Sequence, residues 1–251
     1  MKLYVSVQTE AQLQVALQST ASRALVPLQL LDKIPQHERE RVVITLPWLF
    51  EANVNKVKAT LGQARSLGFS RLLADNLAHF AVAKEFDLTL HGSHRLNITN
   101  SVSLGAYSDM GLTDTVLSAE MLAAQMRDVT GDIATGYISY GRLPLMTLRR
   151  CPKSGGSPCS PPKANCRAFM KERDGRRLPL ICDGHAVYLL NAAPLWLFDK
   201  AKDFSRMSFD LVVFTTETGE EAERVLAARR KHDKPSEQTA FTRGLYFKGV
   251  K

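Results

Sequence analysis

Short aliphatic runs alternate with amphipathic stretches along most of this chain, and that rhythm limits its fold more than any other feature. The runs Leu3–Val7, Leu25–Leu30, Val42–Leu46, Arg71–Ala74, Leu88–His91, Thr115–Ser118, Ile133–Tyr140 and Leu211–Thr215 read as strands. Between them, Glu10–Ser19, Glu51–Leu67, Leu77–Glu85, Val102–Met110 and Glu120–Arg127 have helical spacing. In the second helix Val54, Val57, Leu61, Ala64 and Leu67 make the apolar stripe, leaving Lys56, Lys58 and Arg65 for solvent. Gly68 supplies the stop, because glycine reaches the left-handed backbone that ends a helix. Strands and helices in alternation mean βα units and a parallel sheet covered on both faces. About eight units in 251 residues is the size of a (β/α)8 barrel. The expected fold is therefore α/β, a TIM-like (β/α)8 barrel, whole or incomplete, in one domain over residues 1–251. An open doubly wound sheet is the alternative, although no Gly-x-Gly-x-x-Gly or phosphate-loop motif favours it.

The rhythm breaks between Cys151 and about Asp183, inside an expected insertion at about 147–192. Four prolines precede Cys166 there and large apolar side chains are nearly absent, so that stretch cannot pack a core of its own. A long loop of this kind inside a compact domain is usually functional. Lys171–Arg177 reads as a hairpin tip with Asp174-Gly175 at the turn. Near the end, Glu220–Lys231 reads as a charged amphipathic helix on an outer face.

All four cysteines, Cys151, Cys159, Cys166 and Cys182, fall within 32 residues. The first three sit among Pro, Ser, Gly and Lys, where nothing drives a cysteine inward as a small hydrophobe. Grouped thiols of this kind point to a metal centre. Structural zinc favours tight Cys-x2–4-Cys pairs, and none occurs here. Wider spacing suits an iron–sulfur cluster, whose ligands reach separate irons. A cluster is favoured and zinc stays open. Flanking Arg149, Arg150, Lys153, Lys163 and Arg167 would favour the thiolate form. Disulfides are not expected, because the N-terminal segment turns polar by Gln8 and lacks the apolar stretch of a secretory signal. No apolar run is long enough to cross a membrane. A cytoplasmic protein is the expectation.

The chain carries 33 Lys or Arg against 25 Asp or Glu, a net charge of +8. That balance is compatible with an anionic partner such as RNA, with Arg149, Arg150 and Lys153 as phosphate contacts. It is equally compatible with a basic enzyme that meets no nucleic acid, and no helix-turn-helix, zinc finger or RNP signature appears. In a parallel barrel every strand's C-terminal end opens on one rim, so polar residues at successive ends can meet. Asn97, Glu120 and Arg142 are the candidates by that rule. Arg142 would grip an anion bidentately, and Glu120 would orient it or take a proton. The plainer alternative pairs Glu120 with Arg142 as a surface ion pair worth little, with Asn100 and Ser118 as helix caps. His91 and His94 lie near the same rim, either as a weak metal pair or as ordinary loop histidines.

The segment Tyr140-Gly141-Arg142-Leu143-Pro144-Leu145-Met146, the cysteines Cys151, Cys159 and Cys166, then Arg173-Asp174-Gly175 and Leu178-Pro179-Leu180 form one separated set of motifs. Upstream lie Leu46-Pro47, Leu96-Asn97-Ile98-Thr99-Asn100-Ser101 and Leu117-Ser118-Ala119-Glu120. Downstream lie Leu190-Asn191 and Thr242-Arg243-Gly244-Leu245-Tyr246-Phe247-Lys248-Gly249-Val250. Together they resemble the collagenase-like peptidase family of unknown catalytic type, number thirty-two of that class. The resemblance implies a TIM-like barrel with a 4Fe–4S cluster on four cysteines. It also implies a role in hydroxylating tRNA or ribosomal RNA bases, or ubiquinone precursors. The chain is most similar to the C-terminal barrel of the long type linked to rRNA hydroxylation, so a missing N-terminal barrel or a partner protein would complete it. The expected function is an iron–sulfur protein supporting hydroxylation of an RNA nucleobase. The alternatives are a non-catalytic barrel module with a structural metal site, and a peptidase as the family's name suggests. For the last, neither Gly-x-Ser-x-Gly nor His-Glu-x-x-His occurs.

Overall fold

The computed structural model describes residues 1–48, 54–156, 168–236 and 240–246. Strands β1 (Lys2–Ser6), β2 (Arg23–Pro27), β3 (Val42–Thr45), β4 (Arg71–Ala74), β5 (Thr89–Gly92), β6 (Leu112–Val116) and β7 (Ala134–Gly141) pair in parallel, each with the next. Four further strands follow: β8 (Pro144–Leu148), β9 (Ala168–Lys171), β10 (Arg177–Cys182) and β11 (Val187–Leu190). They form a separate antiparallel sheet in the order β8-β11-β10-β9. The short β12 (Leu195–Trp196) adds antiparallel to β7. Finally β13 (Phe209–Val213) pairs in parallel with both β7 and β1, closing an eight-stranded parallel barrel. The TIM-like fold expected from the alternation is what forms.

Helices α1 (Glu10–Gln18), α2 (Val54–Ser66), α3 (Leu77–Glu85), α4 (Ser101–Asp109), α5 (Ala123–Asp128) and α6 (Gly219–Lys231) cover the barrel. Their starts are written in side chains that satisfy otherwise orphaned N–H groups. Thr9, Asn76, Asn100 and Thr218 each cap the helix that follows, and Thr218 forms a capping box with Glu221. On α2 the buried stripe is Val57, Leu61 and Ala64. Leu67 leaves that stripe and is 52% exposed. It stands past the helix end, where Gly68 at φ 94 turns the chain away.

Three strand expectations shift in register. The run Leu25–Leu30 is strand only as far as Pro27, after which Leu28–Lys33 winds into a 3-10 turn. Pro27 has no N–H to continue a ladder. The strand expected at Thr115–Ser118 begins earlier, at Leu112, and the one expected at Leu211–Thr215 begins at Phe209. Each early start contains an aspartate that reads as a loop residue but is buried in company. Asp114 accepts from the Tyr4 hydroxyl at 2.7 Å and pairs with His91 Nδ1 at 2.9 Å. Asp210 accepts from the Ser139 hydroxyl at 2.7 Å and pairs with Arg229 at 2.5 Å.

The barrel interior is filled in layers. Low in it, the Phe209 ring stacks on Tyr4 at 4.1 Å and lies flat against Gly136. A Cβ at Gly136 would stand 2.4 Å from that ring, so only glycine fits there. The stretch that breaks the alternation opens with a turn in which Gly155 N–H and Cys151 C=O meet at 2.8 Å. Residues 157–167, with Cys159 and Cys166, lie outside the described residues. Beyond them Glu172–Arg176 turns with Gly175 at φ 90, as the hairpin reading expects.

Candidate functional site

Alternation along the antiparallel sheet gives its two faces different tasks. Leu178, Leu180, Val187 and Leu189 form a small apolar cluster on one face, joined by Leu148, Cys151, Ala168 and Cys182. Tyr188 and Leu190 point the other way and pack with Ile181 and Trp48, a residue of the loop after β3. The sheet is therefore a roof: one face rests on the C-terminal mouth of the barrel and the other turns away.

Between roof and barrel lies a cavity of about 160 Å³. Its floor is the upper interior layer, including Ser6, Leu25, Leu73, Ile138 and Leu211. Its walls are the loops after β3, β4, β5 and β7, which bring Trp48, Asp75, Ser93, His94, Arg95 and Arg142. The roof adds Ile181, Cys182, Asp183 and Tyr188. A mostly apolar cleft with a few convergent polar groups at this end of a barrel has the form of a ligand site.

Arg95 ties the wall to the roof. Its guanidinium lies 4.9 Å from the Trp48 ring and 5.2 Å from the Tyr188 ring, one aromatic from each. The Tyr188 hydroxyl donates to Asp183 Oδ2 at 2.5 Å, and Asp183 Oδ1 accepts the N–H groups of His185 and Ala186 at 2.8 Å. Burial, with the Asp183 carboxylate alongside, raises the Tyr188 pKa, so the phenol stays protonated. Arg142 Nη1 donates to the carbonyls of Asn191, at 3.0 Å, and Ala192, while its Nε is buried without a hydrogen-bond partner. His94 keeps some surface open to the cavity, yet the protein packed round it pushes its pKa down to about 4. Arg95 acts in the same direction and Asp75 opposes. The imidazole is therefore neutral at pH 7 and can accept a hydrogen bond. Asp75 is held by its own N–H, which donates to His79 Nδ1 at 3.2 Å.

Of the residues expected on the rim, Arg142, His94 and Cys182 border this cavity. Asn97 and Glu120 do not. Asn97 is exposed in the left-handed region at φ 52, and its Oδ1 accepts from the Ser118 hydroxyl at 2.5 Å. Glu120 is exposed, and its N–H donates to Ser118 Oγ at 3.2 Å. Asn97 and Glu120 share Ser118 as a partner and do not line the cavity that Arg142 borders, and among the described residues no ion pair joins Glu120 to Arg142. Asn100 caps α4, as its plainer reading has it, whereas Ser118 serves Asn97 and Glu120 rather than a helix start. His91 does not meet His94; it is buried in the barrel against Asp114. The sequence reading missed Trp48, Asp75, Arg95 and Tyr188. Asp75 was within reach of the same strand-end rule, since it directly follows Ala74 of β4.

Cys151 and Cys182 pack against the same cluster on the outward face of the roof. Hydrogen bonds from Ser154 and from the backbone of the 151–156 turn lower the Cys151 pKa, the first requirement of a thiolate ligand. Cys182, last in β10, also borders the cavity. Among the described residues no three His, Cys, Asp or Glu side chains gather in metal-binding range. The expected four-cysteine set needs Cys159 and Cys166, which lie outside them. No described helix is long and apolar enough to cross a membrane.

Comparison with known proteins gives one family: the model of Peptidase family U32 matches residues 29–212. A structure described as that of a U32 peptidase superposes with a TM-score of 0.49 at 11% identity, covering 87% of this chain and 94% of that one. An uncharacterized B. cereus protein superposes with a TM-score of 0.43, also at 11% identity, covering 89% of this chain and 64% of that one. No curated protein matches the chain.

Proposed function

The chain belongs to peptidase family U32, and within it we propose that this protein is an iron–sulfur protein supporting hydroxylation of an RNA nucleobase, with the cavity under the roof as the place where the base is received. The observation that carries the proposal is the position of Cys182. It shares an apolar cluster with Cys151, 31 positions earlier in the chain, and it also borders the cavity. A centre held there would stand beside bound substrate. Cys151, Cys159, Cys166 and Cys182 would hold it, and a bound 4Fe–4S cluster supplies electron transfer. The residues of this chain do the remaining work. Trp48 and Tyr188 offer aromatic faces to a planar ring, His94 offers a neutral acceptor, and the roof keeps bulk water off the floor of the barrel.

The test is anaerobic purification of the chain, followed by its visible absorption and metal content. A brown protein with about four irons per chain is expected; a colourless one with a single zinc would make the centre structural. Changing Cys151 or Cys182 to Ser should lower the iron content and loosen the 151–182 segment, since ligation energy orders it. If three of the four single Cys→Ser variants kept full metal, a shared centre would be ruled out. Comparing modified nucleosides in cells with and without the gene then reads the hydroxylation. Hydrolysis of peptides is the competing reading, carried by the family's name. The Ser93 hydroxyl beside His94 accepts the Arg95 N–H at 3.1 Å, and digestion of gelatin by the purified chain would decide for that reading.

A further inference from the structure

The net charge is not spread over the molecule. From Pro144 to Leu190 the sequence has nine Lys or Arg against three Asp or Glu, which gives that segment six of the chain's eight net positive charges. Of the three acids, Asp183 is engaged by Tyr188, while Glu172 and Asp174 both pair with Arg176 at 3.1 and 2.6 Å. Lys171, Arg173 and Arg177 stand exposed around that group.

Strand register says which way these cations face. Lys171 is opposite Arg177, Phe169 is opposite Pro179, and Ile181 is opposite Tyr188. By alternation Phe169, Lys171, Arg177, Pro179, Ile181 and Tyr188 share one face of the sheet. Ile181 and Tyr188 line the cavity. The face that roofs the pocket thus continues outward, past the barrel's edge, as a basic strip. Ile181 lies four positions from Arg177, a run of about 13 Å along the strand. In the strip lies an aromatic ring with no reason to be in water on packing grounds: Phe169 is 48% exposed, and the Arg177 guanidinium covers it at 4.5 Å. Exposed cations interleaved with a ring backed by arginine are the elements that hold single-stranded nucleic acid, phosphates on the cations and a base on the ring.

We propose that the strip Phe169–Lys171–Arg177 is the track on which single-stranded RNA lies, stacking one base on Phe169 and leading a neighbouring base under the roof into the cavity. The choice of RNA rests on the hydroxylation reading above; the track rests on charge, register and the exposed ring. The experiment is fluorescence anisotropy of the full chain with a labelled single-stranded RNA across a salt series. The variants are Lys171→Glu/Arg177→Glu, Phe169→Ala and Phe169→Trp, with Arg224→Glu/Arg230→Glu on α6 as a control of equal charge change. The ribbon reversal should weaken binding more than ten-fold and reduce the log–log salt slope by about 1.4, two phosphates at about 0.7 each. Phe169→Ala should weaken it roughly 5- to 150-fold, the span of one base–aromatic stack, and Phe169→Trp should restore it. The α6 reversal should cost far less than the ribbon reversal. The track is wrong if wild type does not bind, if the α6 reversal costs as much, if Phe169→Ala changes nothing, or if polyglutamate binds as tightly as RNA. Iron content and nucleoside analysis read the other proposal separately. Modified nucleosides with ribbon variants binding normally would sink the track alone; a protein without iron that binds RNA through the ribbon would sink the cluster alone.

Discussion

Individual side chains show where a strand-end rule is sufficient and where it is not. The rule placed Arg142 on the cavity wall, because the residues after a barrel strand must cross the rim. It also nominated Asn97 and Glu120, but a rim position does not decide whether a side chain points into the mouth or back along the loop. Asn97 adopts the left-handed backbone and bonds to Ser118, and this local turn chemistry is a stronger determinant than position. His94 is the opposite case, a histidine with a weak motif and a strongly altered environment. Its folded pKa, near 4, lies below the value of about 6.5 for an exposed histidine. The unfolded chain therefore takes up this proton first as pH falls. The stability linked to His94 is fully present above about pH 6.5 and is lost progressively down to about pH 4. Thermal melts across that window should show the melting temperature of wild type falling more steeply than that of His94→Asn. Parallel curves for the two would show that His94 is charged or solvated in the folded protein.

Elements were legible wherever burial followed periodicity. The capped starts of α1, α3, α4 and α6 carry their signals in Thr9, Asn76, Asn100 and Thr218, and the apolar stripe of α2 stands in the sequence at helical spacing. Strand starts failed where the barrel buries an acid. Leu-Thr-Asp and Phe-Asp-Leu look like turn sequences, since aspartate seldom enters a strand unpaired. Asp114 and Asp210 enter because Tyr4, His91, Ser139 and Arg229 meet them from elements distant in sequence, and no local pattern announces such partners. The pairing has a testable consequence. Asp210 and Arg229 are both largely desolvated, with side chains 2% and 15% exposed. Asp210→Ala would strand the guanidinium against the N-terminal end of β13, and urea unfolding should show a loss of about 3–5 kcal/mol. The double variant Asp210→Leu/Arg229→Met removes both charges and should recover most of that loss. If it is as unstable as the single variant, packing around Asp210 and not the ion pair is what holds α6 to the barrel.

At the scale of the molecule, the barrel was legible because eight repeats of one pattern admit few closures, whereas the roof was legible only at its hairpin tip. Its strands belong to an antiparallel sheet in which β8 pairs with the distant β11, and its two faces serve a small core and a cavity at once, so neither face shows a clean hydrophobic signal. The roof has its own apolar cluster, separate from the barrel core, and Arg95 is a principal link between the two. Two cation–π contacts at about 0.5–2 kcal/mol each are what Arg95→Ala removes, and the barrel strands do not depend on them. Amide hydrogen exchange should therefore quicken in β10 and β11 by roughly ten-fold or more, about 1.4 kcal/mol per ten-fold, with β1, β2 and β13 unchanged. Ligand entry under the roof needs such local opening, so the same variant should release a cavity-bound molecule faster while the melting temperature of the barrel holds. Equal acceleration in roof and barrel would mean that the two unfold as one unit, and that the cavity opens only when the whole protein does.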